Sequence, residues 1–169
     1  MRRTVLRAVV VAFIGTGVAA TAATAASAET YLNKSSDTNS HWGYIGVYAD
    51  PVYNGASVQT GFDPQGGYNT HANWGKAQGS YGLYIYPWSN TNYTMEDHGW
   101  GGSGAKVDAW QRVDQANVQW RTYSLGGSYF AFKSARTDVS LCIDNPGQAA
   151  TDKQQQMYTC NGSAAQAFS

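Results

Sequence analysis

A chain of 169 residues with 11 basic and 11 acidic side chains has room for one compact core and carries no electrostatic footprint for nucleic acid or an anionic membrane surface. Charged residues make up 13% of it, aromatic residues 14%, and glycine occurs 19 times. That composition suits short strands and tight turns, and no stretch holds a 3.6-residue apolar period long enough to predict a helix.

Residues 1–28 begin with Arg2, Arg3 and Arg7, continue through the apolar run Val9 to Ile14, and end on the small residues Ala26, Ser27 and Ala28. This is the pattern of a removable secretory signal, reached through either the general or the twin-arginine route. It predicts a secreted, extracellular protein whose mature part is a single domain over residues 29–169. The signal holds three of the basic residues and none of the acidic ones, so the mature chain carries a net charge of −3.

Within that domain Asp50, Asp97 and Asp144 stand 47 residues apart, and a large aromatic follows each by 23 or 24 residues: Trp74, Trp120 and Phe168. A period of this length kept over three copies predicts a repeat architecture, with units at about residues 29–78, 79–124 and 125–169. Each unit opens on a short β-favouring run ending in the aspartate: Gly46 to Asp50, Tyr93 to Asp97, Ser140 to Asp144. A turn and second strand follow, in Asn54-Gly55-Ala56, Ser103-Gly104-Ala105 and Thr151-Asp152-Lys153; Asn-Gly and Ser-Gly are turn signals because glycine accepts positive φ. Each unit then closes on its aromatic, read as core. Only Ser169 follows Phe168, so Thr30 to Lys34, which resembles Tyr129 to Lys133, is predicted to supply the missing strand and close the sheet. Cys142 and Cys160 are the only cysteines, and in a secreted chain they read as one disulfide within the third unit.

These residues resemble the ricin-B-type β-trefoil lectins, whose repeats end in Gln-x-Trp and open on Cys-x-Asp bridged to a second cysteine. The third unit carries the pattern best, in Leu141-Cys142-Ile143-Asp144, Gln156 to Gly162, and Gln166-Ala167-Phe168. The second lacks the cysteines and has Val118 at the glutamine position; the first has Ala72 there. The resemblance implies an all-β fold, twelve short strands in three units about a pseudo-threefold axis, six forming a barrel and six capping it. One unit cannot bury its apolar face alone, whereas three can share a core.

The resemblance also implies a sugar pocket in each unit, built from the opening aspartate, an aromatic on the second strand, and amides just before the closing aromatic. A carboxylate accepts hydrogen bonds from neighbouring hydroxyls while a ring face covers the C–H patch of a pyranose. Carried over by position, the second unit offers Asp97, Trp110 and Asn117, and the third offers Asp144, Tyr158 and Gln166. The first keeps Asp50 but has Gly61 at the aromatic position, which predicts a degenerate pocket. The resulting expectation is non-covalent binding of galactose-type or related glycans through the second and third units. The competing expectation is a protein-binding trefoil, a protease inhibitor or toxin-targeting subunit.

Catalysis is not expected. Glu96, Asp97 and His98 are adjacent, but neighbours on a strand point to opposite faces. His41, His71 and His98 show no metal-ligand spacing, there is no Gly-x-Ser-x-Gly elbow, and no cofactor motif is present. The expected partners are glycans or polysaccharide and a separate catalytic or toxin subunit, without nucleic acid or membrane insertion.

Overall fold

The described residues form ten strands: β1 Tyr44–Val47, β2 Ala56–Phe62, β3 Trp74–Gln78, β4 Leu83–Pro87, β5 Tyr93–Asp97, β6 Val107–Gln111, β7 Trp120–Gly126, β8 Tyr129–Ser134, β9 Leu141–Asp144 and β10 Gln156–Thr159. The structure is a computed structural model and describes residues 28–34, 43–62, 72–148 and 152–169. All but the last residue of the expected signal, and His41 and His71, lie outside the described residues. Among those described, no helix is long and apolar enough to cross a membrane.

Six strand positions close on themselves as a barrel. β3 pairs with β4, β4 meets β7 at Leu83 and Trp120, and β7 pairs with β8. Phe168 bridges β8 at Phe130, Leu32 and Ser169 exchange two backbone bonds of 3.1 Å, and Glu29 and Trp74 exchange two of 2.8 Å. The residues around Leu32 therefore complete the ring as their likeness to β8 predicts, and no barrel edge is left unpaired there. Three hairpins, β1–β2, β5–β6 and β9–β10, cap one end. Their second strands meet at the axis, where Val107 N donates to Gln155 O (2.9 Å) and Gln155 N to Val58 O (2.8 Å). The chain is a β-trefoil.

Trp74, Trp120 and Phe168 are all fully buried, among Tyr31, Ile45, Met95, Phe132, Ile143 and Met157. Removing one such side chain from water is worth about 1.5–3 kcal/mol. The indoles also need a partner for their N–H: Trp74 Nε1 donates to Ile45 O (3.0 Å) and Trp120 Nε1 to Met95 O (2.9 Å). The disulfide links Cys142 to Cys160 with 5.0 Å between Cα atoms.

The three hairpins fix which residues are equivalent. Each second strand starts from a left-handed residue, Gly55 (φ 86°), Gly104 (φ 91°) and Asp152 (φ 51°); the first two are the turn glycines, and Asp is among the few other residues that tolerate this region. Thr60, Ala109 and Met157 stand at the same distance beyond these turns, and they oppose Ile45, Met95 and Ile143. The residues that follow are Gly46, Glu96 and Asp144. The equal spacing of the aspartates is therefore not the structural register. Asp97 stands one position beyond the true counterpart of Asp144, and Asp50 lies in an exposed loop after β1.

Candidate functional site

In the third unit, the end of β9 and the start of β10 present side chains to one open cleft of about 500 Å³, within the ~300–1,000 Å³ range of small-molecule sites. Asp144 lies on its floor, 7% exposed, and accepts a hydrogen bond from Gln156 Nε2 at 3.0 Å. Gln156 stands directly opposite Asp144 in the β9–β10 pairing. Tyr158, two residues further along β10 and so on the same face, is 45% exposed and forms a wall. Asn161 and Ser163 complete the rim. A carboxylate, a free ring face, amides and a hydroxyl thus border one space.

Gln166, the expected amide of this pocket, does not line it. It is fully buried, its Oε1 accepts from Asn161 N (2.8 Å) and Gly162 N (3.3 Å), and its Nε2 donates to Thr159 O (2.9 Å). Its amide holds the loop that presents Asn161. The sequence reading missed Gln156 and Asn161; cross-strand pairing with Asp144 would have pointed to the first.

The second unit departs further from expectation. Asp97 is fully buried and faces away from Glu96, its Oδ2 accepting from Arg136 Nη1 at 3.0 Å and from Ser134 Oγ at 3.4 Å. Burial raises the Asp97 carboxyl above its ordinary value although Arg136 opposes the shift. Asp97 is thus the anchor of an interior ion pair, not the floor of a cleft, and Glu96 takes the place that Asp144 holds in the third unit. The two acids diverge because strand neighbours alternate faces.

Glu96 opposes Asp108 across the β5–β6 hairpin. Both are buried, 4% and 3% exposed. Asn117, 3% exposed, donates from Nδ2 to Glu96 Oε1 at 2.7 Å, and His98 Nδ1 lies 2.6 Å from Asp108 Oδ2. Burial, and after it the charge of Asp108, push the Glu96 carboxyl up to about 7. Burial likewise raises that of Asp108, with His98 pulling the other way. Trp110, the counterpart of Tyr158, is half-buried against Tyr84, Tyr86 and Val118. In the first unit Gly46 and Gly61 occupy the carboxylate and aromatic places, so the described residues of that unit assemble no comparable group.

No protein-family model matches the sequence, and no curated protein matches it. The fold does have solved counterparts. A designed threefold-symmetric protein, ThreeFoil, superposes with a TM-score of 0.68 at 17% identity, over 82% of this chain and 94% of that one. A mosquitocidal holotoxin gives 0.69 at 12% identity over 86% of this chain, and an exo-β-1,3-galactanase from Clostridium thermocellum 0.68 at 16% over 83%. This chain spans 17% of the holotoxin's length and 29% of the galactanase's. At these identities the likeness establishes the trefoil fold.

Proposed function

We propose that the protein is a secreted, non-catalytic module of the ricin-B lectin type that binds galactose-type or related glycans, with the third-unit cleft as its principal site. The observation that carries this reading is the cleft itself: Asp144 on the floor, Tyr158 exposed on the wall, and Gln156 and Asn161 at hand. That set can order vicinal hydroxyls while a ring stacks on the sugar's apolar face. The leader-like residues 1–28 and the disulfide support an extracellular setting. The likeness to one part of a toxin and one part of a galactanase supports a module that works beside a separate toxic or catalytic unit.

One open cleft binds weakly, so retention depends on multivalent display or on a second site. Trp110 with Glu96, rather than with Asp97, is the only other carboxylate–aromatic pair at the equivalent place among the described residues. The test is retention on immobilised galactosides and galactan. The parent chain is retained, Asp144→Asn and Tyr158→Ala are not, and both variants keep the parent's melting temperature. Retention of the variants equal to the parent's refutes the assignment. Complete silence of the parent on multivalent glycans favours the protein-binding alternative, for which the exposed aromatics Tyr48, Tyr53, Trp88 and Trp100 are the available contacts.

A further inference from the structure

Like charges directly opposite one another on paired strands destabilise the pairing, yet Glu96 and Asp108 occupy that relation in the interior of the second unit. No lysine or arginine makes an ion pair with either among the described residues, while Arg136 is held between Asp97 and Asp138. Three oxygens here have no hydrogen-bond partner: Glu96 Oε2, Asp108 Oδ1 and Asn117 Oδ1. With both acids ionised all three are acceptors, and each belongs to a residue more than nine-tenths buried. The Asn117 amide is independent of the acidic pair and, through its bond to Glu96, is fixed beside it. An acceptor buried without a donor costs about 1–3 kcal/mol, more where it is charged; a cation held between the two carboxylates removes that cost for them.

Glu96, His98 and Asp108 offer ligand atoms that all lie within 4.8 Å of one another, so a single ion reaches both carboxylates. We propose that Glu96, Asp108 and Asn117 form a binding site for one hard divalent cation, Ca²⁺ or Mn²⁺. Carboxylate and amide oxygens are the donors this class prefers. His98 is a positioning residue: its Nδ1 holds Asp108 Oδ2 and thereby turns Oδ1 inward, the role that outer partners play at metal sites. It is also 53% exposed along its side chain, standing over the two buried acids on the solvent side. Neither Asp144 nor Tyr158 takes part, so the site is separate from the glycan cleft.

The test uses the full mature chain, stripped with a chelator. CaCl₂ and MnCl₂ are titrated in separately by calorimetry, and free Mn²⁺ is followed by its paramagnetic resonance. One equivalent of at least one cation is expected to bind saturably. Glu96→Gln and Asp108→Asn each lower that affinity at least ~100-fold, and His98→Ala lowers it about 10–100-fold. Asp144→Asn leaves it unchanged. Because an interior variant can fail to fold, each is also melted without metal: relief of the opposed charges predicts melting temperatures at or above the parent's. Absence of saturable binding of both cations, or binding that persists in Glu96→Gln and Asp108→Asn, overturns the proposal.

Discussion

The second and third units start from one hairpin plan and use its acidic residue in opposite ways. In the third, Asp144 sits beneath an open cleft with a glutamine facing it across the strands. In the second, Glu96 faces another acid, Asp108, and is closed in by Asn117. The facing strand differs at one equivalent position, Gln156 opposite Asp144 and Asp108 opposite Glu96, so one carboxylate faces a hydrogen-bond donor and the other faces a second acid. Equivalence of backbone therefore does not carry equivalence of site, and pockets in a trefoil have to be judged unit by unit.

The largest expected difference between units lies in the closing aromatics and in the aspartates that sequence spacing equates. Trp120→Ala and Phe168→Ala should each cost about 3–5 kcal/mol. Trp120 should cost about 1 kcal/mol more because Met95 O also loses its donor; denaturant titration measures both. Asp97→Ala should cost about 1–3 kcal/mol, since Arg136 loses its buried partner and keeps only the exposed Asp138. Asp144→Asn should change stability by less than about 1 kcal/mol while removing glycan retention. Equal stability effects at Asp97 and Asp144 would erase the distinction between them.

Replacing both cysteines by alanine should cost about 3 kcal/mol on the chain-entropy estimate for a loop of this size. The effect should be local as well. Cys142 lies two residues before Asp144 and Cys160 next to Asn161, so glycan retention should fall with the disulfide while Trp120 and its surroundings hold. Amide hydrogen exchange, compared between the two units, checks this.

The smallest expected effect concerns the glutamines before the closing aromatics. Gln119 and Gln166 both hold backbone amides of a neighbouring loop, but only Gln119 is itself held by an acid, Asp114 (2.8 Å), which also bonds Ser80 and Tyr84. The Ser80 hydroxyl first, and then Gln119, hold the Asp114 carboxyl below its ordinary value. A depressed acid contributes stability that is present above its unfolded value and is lost as pH falls through its folded one. The loop at Ser80 should therefore loosen in acid below the usual carboxylate range, and Asp114→Asn should abolish that dependence. The Gln166 loop should show none.

The fold was legible because its signals are backbone signals. Gly55, Gly104 and Asp152 all take positive φ, the closing aromatics are all in the core, and residues 30–34 pair with the chain's last residues. Of the expected site residues, Asp144 and Tyr158 of the third unit are the two that line one cleft together. In the second, a slip of one residue moved the assignment from Glu96 to Asp97, and on a strand such a slip turns the side chain to the other face. The spacing held the clue: Phe168 follows Asp144 by 24 residues, and Trp120 follows Glu96, not Asp97, by 24. Asp108 was not legible as a partner of Glu96 and His98, because only the hairpin brings it there.

The most direct test is a multivalent glycan array read with the parent chain and with Asp144→Asn side by side. The account predicts signal on galactose-bearing glycans for the parent and its loss in the variant, with Asp97→Asn, where it folds, still binding. Signal that is unchanged in Asp144→Asn, or lost only in Asp97→Asn, would contradict it.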